Sequence, residues 1–319
     1  MSKNEKASFN WFPGHMNKSI KEIEEMIPVV DLVIEIVDSR APFSTQNPLL
    51  RRLLSKRPRL IIMSKGDLAD PNITTKWIDH FEMQGDHTYL INDKNANITT
   101  DIERLIHKMT KEKQDRDKRR GIEVPQLNVL VVGIPNVGKS TFIQNISKGK
   151  MLKKGNKPGV TRGSQRIVMT PQITLIDTPG ILPSRFENET IACNCAAANA
   201  IRLEVIPRER FAAKIVKYVY NNYPNAIDKL YSINVTAARP IDYDDSFGIL
   251  ELIAKKMKFL ILDDTPDIER AVDLFINDLH QNRFGRISFE QPMEVANTIE
   301  FNTEDDIDFT VESDLTIEW

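Results

Sequence analysis

Gly133-Ile134-Pro135-Asn136-Val137-Gly138-Lys139-Ser140, followed by Thr141, is the stretch with the most chemistry in it. A glycine-rich turn that leaves a strand and opens a helix aims several backbone N–H groups at one point, which is what a phosphate anion needs. The apolar run LNVLVV precedes the turn and KSTFIQNIS follows it, so strand and helix are both expected in the right places. In that setting the backbone from Asn136, Val137 and Gly138 into Lys139, Ser140 and Thr141 surrounds a nucleotide's phosphates. Lys139 adds a cation near the terminal pair, and the Ser140 hydroxyl is a ligand for Mg²⁺. Downstream, ITLIDTPG ends an apolar run in Asp177 and continues to Gly180. Such an acid orients a metal-bound water, and such a glycine turns its N–H toward the terminal phosphate. By itself the same tetrapeptide is also an ordinary turn; the company of the phosphate loop favours the chemical reading. Between the two lies KPGVTRGSQ, whose Thr161 is placed to close over the metal.

A third candidate stands earlier in the chain. RLIIMSKGDLAD, residues 59–70, ends an apolar run in Ser64-Lys65-Gly66-Asp67. The Asp67 carboxylate is suited to accept from guanine N1 and N2, which adenine does not offer, while the Lys65 stem lies along the base. Ordinary small GTPases carry these pieces in the reverse order. If the strand bearing Asp67 pairs near the phosphate-loop strand, sequence order is irrelevant to the site. A domain cut in one loop, with its old ends joined, keeps every spatial neighbour.

The elements that must position these residues alternate. MNKSIKEIEEMI has helical apolar spacing at Ile20, Ile23, Met26 and Ile27, and VVDLVIEIVD reads as a buried strand. RLIIMS, HTYLI, LNVLVVG and ITLID are further strands, separated by helical stretches such as ITTKWIDHFEMQ and ITTDIERLIHKMTKEK. This predicts an α/β fold with a parallel sheet covered on both faces. KEKQDRDKRRGIEVP, charged and without apolar periodicity, reads as a helix end followed by a linker. From about residue 190 helical patterns replace the strands, in RERFAAKIVKYVYNNY, SFGILELIAKKMKFL and PDIERAVDLFINDLHQNRFG. After Arg286 the chain has acids but no Lys or Arg, the pattern of a solvated extension.

With 319 residues, 41% of them hydrophobic, the chain has material for two packed domains. A formal charge of −2 argues against a uniformly basic nucleic-acid binder, although the charge is unevenly spread. Cys193 and Cys195 are too few for a structural zinc site or a disulfide framework and read as inert core positions in a reducing compartment. MSKNEKASFNWF has neither an apolar core nor arginine, and no run is long enough to span a membrane. A cytoplasmic protein without membrane attachment is expected.

WFPGHM, VDSRAPFSTQNP, SKGDLAD, GIPNVGKST, PGVTRGSQ and DTPG, in this order, resemble the YlqF/RbgA family of circularly permuted GTPases over most of the chain to about residue 290. The resemblance implies a circularly permuted P-loop GTPase domain over residues 1–190 and a mostly α-helical, RNA-contacting domain over 191–286. An acidic tail at 287–319 follows. It also implies GTP and Mg²⁺ as ligands, hydrolysis of GTP during maturation of the large ribosomal subunit, and that subunit with its rRNA as the partner. No DNA partner is implied, and the protein would be a monomer off the ribosome. A rival reading is a GTP-gated ribosome-binding module in which turnover is incidental.

Residue roles follow. Ile181 stands after DTPG, where Ras-like proteins carry the glutamine that positions water; in the family the histidine of PGHM, here His15, is the implied substitute, against the alternative of a structural turn histidine. Asn136 resembles the asparagine that binds K⁺ in cation-dependent relatives. The family's usual Asn is replaced by Ser64, and Asp93 falls where a Ser or Ala is usual. A hydroxyl still bonds locally, but a carboxylate near the guanine carbonyl oxygen is repulsive, so guanine preference is expected to be less than strict. Lys148, Lys150, Lys153, Lys154, Lys157, Arg162 and Arg166 cluster beside the loop of Thr161, either as a solvated face or as a surface for rRNA phosphates.

Overall fold

The computed structural model describes residues 14–92, 97–123, 125–147, 164–203 and 206–292. Six strands form one sheet: β1 (Leu32–Asp38), β2 (Arg59–Ser64), β3 (His87–Leu90), β4 (Leu127–Val132), β5 (Gln165–Val168) and β6 (Ile173–Asp177). Their order is β3-β2-β1-β4-β6-β5, with every pair parallel except β5 against β6. Five strands match the parallel sheet expected from the sequence. The sixth does not: QRIV has no apolar alternation of its own and becomes a strand by pairing with β6, Gln165 opposite Asp177 and Val168 opposite Thr174.

Helices α1 (Gly14–Met26), α2 (Pro48–Leu53), α3 (Pro71–Met83), α4 (Ile98–Met109), α5 (Lys111–Arg119) and α6 (Lys139–Ser147) accompany the sheet. Every residue of β1 is buried, which is why LVIEIVD reads as a continuous apolar run rather than an alternating one. Period-two geometry divides it: Leu32, Ile34 and Ile36 join Val129, Val131, Ile106 and Phe142 in one cluster, while Val33 joins Ile23, Leu130, Ile176 and Ile181 in another.

α5 corrects an expectation. KEKQDRDKR is a helix, not a linker, because its residues have high helix propensity and its docking is ionic. Lys113 pairs with Asp117 one turn on at 3.0 Å, reaches Asp31 at 3.4 Å and donates to Gln126 O at 2.6 Å. A search for apolar periodicity does not register a helix held this way.

The C-terminal half is helical as expected: α7 (Glu189–Ala197), α8 (Arg208–Asn222), α9 (Ala226–Tyr231), α10 (Asp245–Lys256) and α11 (Ile268–His280). One apolar cluster runs from the sheet into these helices, through Cys195 and Ala197 to Phe211, Val216 and Phe275. Cys193 and Cys195 are buried free thiols, and burial raises both, Cys193 to about 11, as inert core positions require.

The start of the acidic extension is a second correction. Ile287, Ser288, Phe289 and Glu290 are buried. Ile287 N donates to Leu68 O at 3.2 Å and Phe289 N to Arg40 O at 2.7 Å. The Glu290 carboxylate accepts from Phe43 N at 2.5 Å, Asn194 Nδ2 at 3.1 Å and the Ser44 hydroxyl. Two inward apolar side chains decide the fate of this segment, whereas the sequence reading weighed the charge of the whole run. Residues 293–319 lie outside the described residues.

Candidate nucleotide-binding site

β4 carries the phosphate loop into α6, and the order β2-β1-β4 places the Ser64–Asp67 turn one strand away. In open parallel sheets ligands bind beyond the carboxyl ends of the strands, and the loops after β1, β2, β4 and β6 all end there. Two contacts join the motifs directly: Ser64 Oγ lies 2.5 Å from Val137 O, and Lys65 Nζ donates to Asn136 O at 2.8 Å. Ser64 Oγ is also 2.9 Å from Val37 O. A hydroxyl has one proton, so it serves these two carbonyls alternately, where an asparagine amide would offer two.

The phosphate loop has the backbone of an anion cradle. Asn136 and Gly138 take positive φ, +59° and +92°, and α6 begins at Lys139. Gly133 has no room for a side chain: a Cβ there would lie 2.8 Å from Ile36 O. At Gly180 a Cβ would meet Pro135 N at 2.9 Å, so the DTPG turn packs directly on the phosphate loop. Thr178 Oγ1 donates to Val131 O at 2.9 Å and fixes that turn to β4.

Lys139 and Asp177 meet. Lys139 Nζ is 2.5 Å from Asp177 Oδ1 and also donates to Thr178 O, with both side chains about nine-tenths buried. The Ser140 and Thr141 side chains are exposed. Among the described residues no group of three His, Cys, Asp or Glu side chains could hold a metal alone. The hard oxygens of Ser140 and Asp177, completed by phosphate oxygens and water, do suit Mg²⁺. Asn136 is exposed.

Ile181 is 1% exposed and belongs to the cluster of Ile23, Val33 and Ile176, with its carbonyl accepting from Asn47 Nδ2 at 2.8 Å. It is a core residue with no means of orienting water. His15 stands in the first turn of α1, two turns before Ile23 in that cluster. Thr161, Asp93, Lys148, Lys150, Lys153, Lys154, Lys157 and Arg162 lie outside the described residues. Arg166 is exposed on β5.

The base end contains a group that motif reading gave no role. Asp38, at the end of β1 and fully buried, accepts from Arg40 Nε at 3.0 Å and Nη2 at 2.8 Å and pairs with Lys65 Nζ at 2.8 Å. Burial pushes its carboxyl up, but Arg40 and Lys65 outweigh this and hold it below the usual carboxylate range. Arg40 also donates to Ala198 O at 2.7 Å and Asn282 Oδ1 at 2.8 Å, tying this cluster to the helical half. Asp38 and Arg40 stand in VDSRAPFSTQNP, so the signal was present without its meaning. Lys65 has a positive φ of +54°. Asp67 is half-buried.

Comparison with known proteins agrees with this geometry. A family described as 50S ribosome-binding GTPase matches residues 128–227. Ribosome biogenesis GTPase A of Bacillus licheniformis is 34% identical over 282 residues, covering 88% of this chain and 98% of that protein. A GDP-bound YlqF structure superposes with a TM-score of 0.56 at 25% identity, over 85% of this chain and 99% of the other. A GNP-bound YlqF from Thermotoga maritima gives 0.54, again at 25% identity, over 86% and 98%. With a relative matched almost end to end and a P-loop placed after its partner turn in the chain, this protein belongs to the YlqF/RbgA family, the ribosome biogenesis GTPases A.

Proposed function

We propose that the protein hydrolyses GTP when bound to the large ribosomal subunit and thereby serves a step of that subunit's assembly. The observation that carries this reading is the direct joining of the Ser64–Asp67 turn to the phosphate loop, through Ser64 Oγ to Val137 O and Lys65 Nζ to Asn136 O. A base reader and a phosphate cradle in contact across one strand make a purine nucleoside triphosphate the fitting ligand, and an acceptor-only Asp67 favours guanine. Asn136 to Thr141 would hold the phosphates. Ser140 and Thr161 would ligate Mg²⁺, Asp177 would act on it through water, and Gly180 would face the terminal phosphate. Mg²⁺, when bound, neutralises charge developing on the transferred phosphoryl group. Lys139, now paired with Asp177, would turn its ammonium to the terminal phosphates. Asn136 is the position assigned to K⁺.

His15 is the assigned water-positioning residue, supported by the exclusion of Ile181 from that role and by the anchoring of α1 in Ile181's own cluster. The helical segment 191–286 and the basic span around Lys153 are assigned to rRNA, with the protein acting as a monomer off the ribosome and in the cytoplasm. The reading is tested by measuring GTP hydrolysis with and without purified large subunits, for the natural chain and for His15→Ala. Subunits should accelerate the natural chain. His15→Ala should keep its GTP affinity and thermal midpoint while losing on the order of 10² to 10⁴ of the stimulated rate. Normal stimulated turnover in a folded His15→Ala protein removes His15 from the mechanism; absence of any stimulation by subunits sinks the proposal itself.

A further inference from the structure

The residues that follow α11 run back across the site-bearing end of the sheet. Arg286 Nη2 donates to Gly66 O at 3.0 Å, and its Nε donates to Ala69 O at 3.0 Å. Ile287 N donates to Leu68 O at 3.2 Å, and Ser288 Oγ accepts from Asp70 N at 3.2 Å. Four bonds therefore fall on residues 66–70, on both sides of Asp67.

Gly66 is held from two directions. Its N–H donates to Ile91 O at 2.9 Å, after β3, and its carbonyl accepts from Arg286. The two peptide groups that flank it are thus both tethered, one to the sheet and the other to the C-terminal strap. The backbone also packs closely on the end of β3, since a Cβ on Gly66 would lie 2.6 Å from the Leu90 side chain and 2.8 Å from Ile91 O. Asp67 follows immediately, so the direction in which its side chain leaves depends on this tethered backbone. A carboxylate that must meet two parallel donors on a base edge depends on such preorganisation, because two hydrogen bonds of fixed spacing tolerate little rotation.

We infer that Arg286 is a positioning residue for base recognition: from beyond the helical half of the chain, it fixes the turn that aims Asp67 at the base. This rests on Asp67 being the base reader. The guanidinium suits the task, because its planar fork puts two separate nitrogens, Nε and Nη2, on two carbonyls at once, where a lysine would offer a single nitrogen. The strap also ties the loop after β1, through Phe289 N to Arg40 O and Glu290 to Phe43 and Ser44. The ordering of the base end is thereby linked to the seating of the C-terminal segment.

The test compares the full chain with Arg286→Ala, Arg286→Lys and Asp67→Asn, measuring affinities for GTP, ITP and XTP together with the thermal midpoint. ITP lacks the exocyclic amine, so the ratio of GTP to ITP affinity reports how well the carboxylate meets that amine. Arg286→Ala should lower this ratio about 3- to 10-fold, the effect of losing about one hydrogen bond's worth of alignment, with ITP affinity nearly unchanged. Arg286→Lys should fall between the two and carries the test if Arg286→Ala fails to fold. Equal weakening of GTP and ITP together with a lower thermal midpoint marks a merely structural arginine and overturns the inference. If Asp67→Asn moves preference to XTP while both Arg286 variants keep the natural ratio, Arg286 alone is excluded. If Asp67→Asn moves nothing, base reading by Asp67 and the role of Arg286 fall together.

Discussion

The phosphate end and the base end of the candidate site are built in different ways. The phosphate end is nearly continuous in the chain: β4, the loop to α6, and β6 with its DTPG turn lie within residues 127–181, with Gly180 packed on Pro135 and Gly133 against Ile36 O of the neighbouring β1. The base end is assembled from distant pieces. Ser64 ends β2 and Lys65 follows it, Asp38 ends β1 and Arg40 follows it, Ala198 and Asn282 come from the helical half, and Arg286 from the strap. An anion cradle needs only backbone N–H groups and a helix start, which a short segment supplies locally. The proposed orientation of the Asp67 carboxylate against a base edge would draw on such long-range support. This division also shows why a permuted chain order is tolerated: no connection between the two ends has to be short.

The largest expected break is at the phosphate end. Lys139→Ala should abolish productive Mg-GTP binding and, because it leaves the Asp177 carboxylate buried without its cation, cost about 3 to 5 kcal/mol of stability. Nucleotide titration and thermal unfolding on one preparation check both; unchanged affinity would remove the loop from the site.

At the base end Arg40→Ala should cost about 3 kcal/mol, with Lys65 still beside Asp38 to soften the loss. It should leave phosphate binding intact. Asp38 is held below the usual carboxylate range when folded, so its contribution is fully present above that range and is lost as pH falls through its lowered native value. Without Arg40 that native value rises, and the acid-unfolding midpoint of Arg40→Ala should move to higher pH than that of the natural chain. An acid limb that does not move would show that Arg40 is not what keeps Asp38 ionised.

The smallest effect probes the seam between the ends. Ser64→Ala removes the hydroxyl shared by Val37 O and Val137 O and should cost about 1 kcal/mol, with GTP affinity falling by less than tenfold. A loss as large as that of Lys139→Ala would mean that the two ends are a single cooperative unit rather than two separately built ones.

What the sequence determined by itself was the local chemistry and the elements with strong periodicity. Gly133 to Thr141 as a strand-to-helix phosphate loop and β1 as a buried strand were legible because each is specified by neighbouring residues. So was the reversed order of the two motifs. The helical half was legible too, from its apolar spacing. Tertiary structure decided the elements whose stabilisation comes from elsewhere. β5 exists by pairing with β6, α5 docks through Lys113 rather than an apolar face, and Ile287–Glu290 leave solvent because Leu68, Arg40 and Ser44 receive them. The same holds for Arg40 and Arg286: Arg40 bonds Ala198 and Asn282, Arg286 bonds Gly66 and Ala69, all far away in the chain, and sequence periodicity carries no trace of a partner that only folding supplies.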